Sequence, residues 1–332
     1  MTFYLVSRYE EYLPFQGDKF GRFAAKQSLA HREGFLHQPL INQWSLELGK
    51  LLKEKFPQLQ ITQPEFRFQS TFDIDYAWAF QHRGVKRTVI GYGGDILKRR
   101  GRTLKKRLQT HFFGKKDPYQ VFDYLEKIHQ QYQIEPTYFF LLGDEGPYDQ
   151  NISPDKIPFQ KLIQNIEEKY EVGIHPSMRS NNFFTILEKE KKRLEKIIGK
   201  EVNKSRQHFL MLKFPDTYRN LLQVGIKEDH TMGYADDVGF RASMATPFPW
   251  FDLLENKQTD LMIHPFQVMD GTLNFLYLGL SKVEALNQTK KLIETTKSVG
   301  GTFCLLWHNS TLSGMDEWDG WFDLYEKILK SL

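Results

Sequence analysis

From residue 66 onward the hydrophobic positions fall into two alternating kinds of run. Short stretches rich in β-branched and aromatic residues have strand character, at 69–76, 137–142, 172–175, 207–212, 227–231, 260–265 and 301–308. Between them lie longer stretches with apolar residues three or four apart, at 118–131, 158–170, 182–198, 214–224 and 282–298, with a last one at 318–332. In 182–198, Phe183, Ile186, Leu187, Leu194, Ile197 and Ile198 form the apolar stripe, and Glu188 to Lys192 are expected to face solvent. About seven strand–helix steps predict an α/β fold with a parallel sheet, and a barrel is favoured over an open doubly wound sheet. In either arrangement the functional residues belong at the C-terminal ends of the strands. Residues 1–66 break this rhythm and read as an N-terminal extension or cap. Within them, 39–56 has a helical face of Ile41, Trp44, Leu46, Leu48, Leu51 and Leu52 that ends before Pro57.

Composition narrows the chemistry. The 332 residues are 40% hydrophobic, a balance that supports a large core and excludes disorder. The single cysteine, Cys304, excludes an internal disulfide and a cysteine-rich zinc site, so any metal ligands must be His, Asp or Glu. The start of the chain lacks the pattern of a signal peptide, and no apolar run is long enough for a membrane span, so a cytoplasmic location is the default expectation. The net charge of +4 is uneven: residues 95–116 carry nine basic residues against Asp95, a local +8 that leaves −4 for the rest. Such a segment could meet a polyanion, but no zinc finger, RNA-recognition signature or P-loop accompanies it. A solvated basic insertion is therefore preferred over a nucleic-acid site.

The strand at 69–76 ends in two carboxylates, Asp73 and Asp75, which at i and i+2 face the same side. Paired anions on an apolar strand require a metal, a catalytic task or an opening to water. Other predicted strands carry His175, then Arg206 and His208, Asp229 and His230, His264, and His308. Carboxylates and imidazoles gathered in one layer suit zinc or a related divalent ion with a position left open for water. A second carboxylate can take the water's proton, a histidine can protonate a leaving group, and an arginine can hold the base ionised. That chemistry is hydrolysis of an amide or ester. The aromatic and turn-rich stretch 233–251 reads as a loop over the strand ends. Tyr234, Arg241 and Trp250 there either wall a sugar site or pack the loop. Trp307 stands either beneath a substrate acetyl group or in the core, and Asp270 is a further, lesser candidate.

The order of these motifs resembles the polysaccharide deacetylase family, carbohydrate esterase family 4, with the NodB-homology fold. Thr71-Phe72-Asp73-Ile74-Asp75 is similar to its first motif, Gly173-Ile174-His175-Pro176-Ser177 to its second, and Ser205-Arg206-Gln207-His208 stands at its arginine motif. Asp229 to Tyr234 occupies the place of the fourth motif, and Leu305-Leu306-Trp307-His308 resembles the fifth. The resemblance covers roughly residues 66–332. It implies a distorted (β/α) barrel with about seven parallel strands, in a domain from 67 to 332 with a basic insertion at 95–116. It implies Asp73 as general base, Asp75 and His175 as metal ligands, Arg206 as partner of the base, His308 as general acid and Asp229 as the group that tunes it. It also implies zinc as cofactor, an acetylated carbohydrate as substrate, and N- or O-deacetylation as the activity.

One departure stands out. The family's second motif offers two histidines four residues apart, and here the second position is Arg179, which cannot ligate a metal. His208, two residues after Arg206, is the first candidate for the third ligand, ahead of His230 and His264. A chain lacking that ligand would instead be a non-catalytic carbohydrate-binding or scaffold protein on the same barrel.

Overall fold

The computed structural model describes residues 1–62 and 64–332. Among them nine strands form one sheet: β1 Arg67–Ile74, β2 Thr137–Phe140, β3 Glu171–Ile174, β4 Lys204–Ser205, β5 Glu228–Asp229, β6 Phe248–Asp252, β7 Lys257–Ile263, β8 Val268–Met269 and β9 Thr302–His308. Their spatial order is β6-β7-β5-β4-β3-β2-β1-β9-β8. Every ladder is parallel except β6–β7. The fold is thus α/β, with eight strands in parallel register where about seven were expected. The hydrogen-bonded ladder ends at β6 on one side and β8 on the other.

The alternation along β1 explains the two layers. Phe72 and Ile74 point into the main core with Phe140, Ile174 and Ile263, under apolar residues such as Leu125, Phe159, Leu187, Leu221, Ile293 and Ile328 of the covering helices. Cys304 and Leu306 of β9 join Leu210, Ala235 and Phe266 in a separate cluster. Both faces of the sheet are therefore covered, as parallel strands require. Asp73 is in register with Phe139 and Gly173 on one side and with His308 on the other. Gly173 has a steric reason: a Cβ there would lie 2.6 Å from the Phe139 ring.

Helices Phe122–Tyr132, Ile157–Glu167, Phe184–Ile198, Asp216–Gln223, Lys282–Lys297 and Trp321–Leu329 occupy the predicted stretches. The helix at Lys282 starts on a Ser281–Glu284 capping box. In helix Phe184–Ile198 the buried stripe is Leu187, Glu190, Leu194 and Ile197. Phe183 is exposed, and Glu190, expected in solvent, is fully buried because it lies one turn after Leu187 on the inward face.

The N-terminal segment meets the loop 233–251 at several points, through Arg8, Ala25 and Ile41 among others. Helix Leu40–Lys55 forms as expected but buries only Ile41, and Leu48, Leu51 and Leu52 face outward. Its first turn is fixed by the Ile41 amide, which donates to the Ser243 carbonyl at 3.2 Å, and by Asn42, which accepts from the Ala245 amide at 2.8 Å. Arg8 is buried and donates to Glu11 at 2.7 Å and to the Tyr234 hydroxyl at 2.9 Å. Among the described residues no helix is long and apolar enough to cross a membrane.

Candidate metal centre and active site

The ends of β1, β3, β4 and β9 bring five of the singled-out side chains to one cavity of about 240 Å³ or its wall. Arg206 Nη1 donates to Asp73 at 3.0 Å, and both groups are buried. Arg206 also donates through Nε to the His230 carbonyl at 2.9 Å, which fixes its plane.

Asp75, His175 and His208 offer ligand atoms that all lie within 4.8 Å of one another. His175 Nε2 is 3.1 Å from Asp75 Oδ1, and His208 Nε2 is 3.6 Å from Asp75 Oδ2. The second nitrogen of each ring is already engaged. His175 Nδ1 meets the Arg206 carbonyl at 2.6 Å, and a carbonyl can only accept, so Nδ1 carries the proton and Nε2 presents its lone pair. His208 Nδ1 lies 2.9 Å from Asp149 Oδ1. These are the outer partners that metal-binding histidines ordinarily have. Among the described residues Asp75 Oδ1 is buried with no hydrogen-bond partner, an orphan that a bound cation would satisfy. Burial opposes ionisation of Asp75, but His208, His175 and His308 around it hold its carboxyl well below the usual range. By its chemistry the donor set fits a divalent cation.

His208 does not reach this position along a strand face. β4 stops at Ser205, and Phe209 and Leu210 turn the chain with φ of 57° and 54°. His208 lies at the start of that turn, with its amide donating to the Pro176 carbonyl at 3.1 Å.

His308 ends β9 with Nε2 3.7 Å from Asp75 Oδ2. Its Nδ1 is 2.8 Å from Asp270 Oδ1, while its own amide donates to Asp270 Oδ2 at 2.7 Å. Burial lowers the His308 pKa, and the Asp270 charge overrides that and lifts it to about 10. The expected partner, Asp229, is elsewhere. It accepts from Ser205 and Thr231 hydroxyls at 2.8 Å each, on the opposite face of the sheet from the cavity. Its position on β5 in register with Ser205 sets that direction.

Four other candidates for the substrate site take packing or anchoring places instead. Arg241 is buried and donates to Glu11 Oε2 at 2.5 Å and to the Gly233 carbonyl at 2.8 Å, so it anchors the N-terminal segment and does not line the cavity. Tyr234 is buried with it, under Arg8. Trp307 is fully buried against Trp321 and Tyr325, because its place in β9 points it into the main core. Trp250 likewise packs on Tyr218.

The remaining ligand candidates gather apart. Glu228, His230 and His264 form a second close group, with His264 Nε2 3.3 Å from Glu228. The Lys204 ammonium already sits 2.6 Å from the same Glu228 oxygen. Burial holds His230 neutral, with its pKa pushed down to about 3.

The cavity also has residues that motif reasoning missed. Phe209, Tyr277 and Trp318 supply aromatic surface, and Arg22 of the N-terminal segment reaches in, donating to the Phe209 carbonyl at 2.7 Å and the Tyr277 hydroxyl at 2.8 Å. Asp149 and these four lie outside the strand-end motifs, with Phe209 and Trp318 in short 3-10 turns, while Asp270, the lesser candidate, opens the short helix Asp270–Leu273 directly after β8. Asp149 lies in the loop between β2 and helix Ile157–Glu167, well past the strand end, so no local pattern marks it.

Among solved structures, the chain aligns with a Mycobacterium smegmatis protein assigned as a polysaccharide deacetylase, with a TM-score of 0.51 and 15% identity over 82% of this chain and 85% of that one. An allantoinase aligns with a TM-score of 0.48 and 9% identity, over 80% and 83% of the two chains. A Pseudomonas aeruginosa PAO1 protein assigned as a polysaccharide deacetylase aligns at 0.47 and 10%, over 80% and 83%. The chain shares the fold of the Mycobacterium smegmatis protein over most of both chains. Residues 1–57 match a family of unknown function, DUF7033. No curated protein matches the sequence.

Proposed function

We propose that this protein is a metal-dependent hydrolase that removes acetyl groups from a carbohydrate, with Asp75, His175 and His208 as the metal ligands. The observation that carries the reading is the orientation of the two imidazoles. Each has Nδ1 bound to an acceptor and Nε2 turned toward Asp75, whose Oδ1 is otherwise unpartnered. A divalent ion of the zinc kind supplies Lewis acidity toward an acetyl carbonyl and acidifies water.

The chain's own groups do the rest. Asp73, held by Arg206, accepts the proton of the attacking water. His308, on the neighbouring strand, faces the same cavity and delivers a proton to the departing amine or alcohol. Asp270 holds the His308 ring with Nε2 toward the substrate and favours the protonated form. Tyr277 and Trp318 offer apolar faces on which a sugar ring can stack. Residues 67–332 carry this site, and the N-terminal segment completes its wall through Arg22.

The test is acetate release from N-acetylated glucosamine oligomers and O-acetylated xylan by protein loaded with zinc. Activity on either that is abolished in Asp73→Asn, with metal still bound, supports the reading. A protein that binds zinc at micromolar concentration and releases no acetate from any acetylated sugar would leave the scaffold alternative standing.

A further inference from the structure

The basic insertion folds as a pair of helices, Gly84–Leu97 and Gly101–Phe112, and both are turned inside out. The first buries Asp95, and the second buries Thr103, Arg107 and Thr110. Arg107 donates to Asp95 at 2.7 Å between the helices. A Cβ at Gly91 would stand 2.5 Å from Arg107 Nη1, so the bare backbone there lets the guanidinium lie flat. The apolar residues face outward. Val85, Val89 and Ile96 make one exposed stripe, with Ile90 and Leu97 beside it. On the second helix Phe112 is 71% exposed and the adjoining Phe113 74%. A water-facing helix normally has the reverse arrangement, and a contiguous apolar surface of this kind marks a contact.

The charge says what the contact is. Lys98, Arg99, Arg100, Arg102 and Lys105 are all exposed around these apolar side chains. A polyanion such as nucleic acid would use the cations and could stack on the phenylalanines, but would leave the exposed Val, Ile and Leu side chains in water. An apolar protein partner would gain nothing from so many cations. Only one common surface combines an anionic plane with an apolar layer just beneath it. We propose that this helical pair docks the protein on an anionic lipid bilayer, with its apolar side chains entering the headgroup boundary and its lysines and arginines on the lipid phosphates. The pair sits on the rim that carries the cavity. Lys106 donates to the Gly314 carbonyl at 2.9 Å, and the segment just before and after it supplies Ser310, Thr311 and Trp318 to the cavity wall. Docking therefore brings the cavity close to the membrane plane. The inference does not depend on the deacetylase reading.

The experiment is co-sedimentation of the full chain with phosphatidylcholine vesicles, with and without phosphatidylglycerol. Binding is expected only to the anionic vesicles. A Val89→Ser, Ile90→Ser, Phe112→Ser variant should bind at least tenfold more weakly, and an Arg100→Gln, Arg102→Gln, Lys105→Gln variant about a hundredfold, at roughly fivefold for each basic residue. All six positions face solvent, so both variants should keep the thermal transition of the parent. The proposal is overturned if the parent stays in the supernatant with anionic vesicles. It is also overturned if the serine variant sediments like the parent, since the apolar side chains would then take no part. A concentration-dependent dimer without vesicles, abolished by the serine substitutions, would assign the surface to a second copy instead.

Discussion

His208 Nδ1 lies 2.9 Å from a carboxylate oxygen of Asp149, a residue on a loop 59 positions earlier in the chain. Asp149 also accepts from the Met178 amide at 3.0 Å, so it ties the loop after β2 to the turn that follows His175. Burial opposes its ionisation, but the hydrogen bond from His208 holds its carboxyl below the usual range. Asp149→Asn should therefore weaken zinc binding by about 10- to 100-fold, the ordinary effect of losing an outer partner of a metal-binding histidine. His208→Ala should weaken it further. Titration of zinc by calorimetry measures both without reference to activity, and unchanged affinity in both variants would remove His208 from the ligand set.

A second prediction separates Asp270 from Asp229. His308 must be protonated to act as an acid, and Asp270 is the largest of the carboxylates, with Asp75 and Asp73, that raise its pKa to about 10 against the effect of burial. In Asp270→Asn that support is lost, so the alkaline limb of the rate profile should move to lower pH by about a unit or more, with kcat down on the order of 10²-fold. Asp229 is held by Ser205 and Thr231, so Asp229→Asn should leave the alkaline limb in place. A limb that moved in Asp229→Asn and stayed in Asp270→Asn would reverse the assignment.

The contrast between those two aspartates shows how far residue patterns reach. Side-chain alternation along β1 was enough to put Asp73 and Asp75 on one face, because a two-residue period is a local property. The strand–helix rhythm was legible for the same reason. What the pattern could not give was pairing between distant loops. Asp229 sits beside a histidine in sequence and Asp270 does not, yet Asp270 follows β8, which lies next to β9 and His308. β8 itself is two residues long, and β6 hides in a proline-flanked aromatic stretch, so neither has a strand signature of its own. His208 was singled out by a strand periodicity that β4 does not sustain, and a turn with left-handed residues brings it to the site instead.

Glu190 carries a prediction about stability and pH. Its carboxyl is buried, with Oε2 accepting from the Ser177 amide at 2.9 Å and, among the described residues, Oε1 without a partner. Burial, only partly offset by the Ser177 contacts, raises its pKa from 4.5 to about 7. A carboxyl whose folded pKa is raised stabilises the fold fully below about pH 4.5, and that contribution is lost as pH rises through about 7. Glu190→Gln removes the titration. It should match the parent near pH 4.5 and exceed it at pH 8 by on the order of 1 to 3 kcal/mol. Denaturant unfolding of both proteins across that range gives the difference directly, and a gap that failed to widen with pH would refute the account.

The last prediction concerns Arg241, whose side chain resembled a sugar-binding group in sequence and is buried in an ionic cluster in the fold. Glu11 receives Arg241 through both carboxylate oxygens, at 3.0 and 2.5 Å, and Arg8 at 2.7 Å. Arg8 also donates to the Arg241 carbonyl, so each member of the cluster holds another. Burial would raise the Glu11 pKa, and the two guanidinium groups hold it below the usual carboxylate range instead. Removing one partner of such a buried set leaves charge without compensation, at a cost of roughly 3 to 5 kcal/mol. Arg241→Ala should thus lower the thermal transition sharply. At temperatures where the variant remains folded, its KM for substrate should match the parent, because Arg241 does not line the cavity. A variant with normal stability and a raised KM would return Arg241 to the substrate site. Glu11→Gln provides the internal control, since it disrupts the same cluster from the N-terminal segment and should show the same pattern.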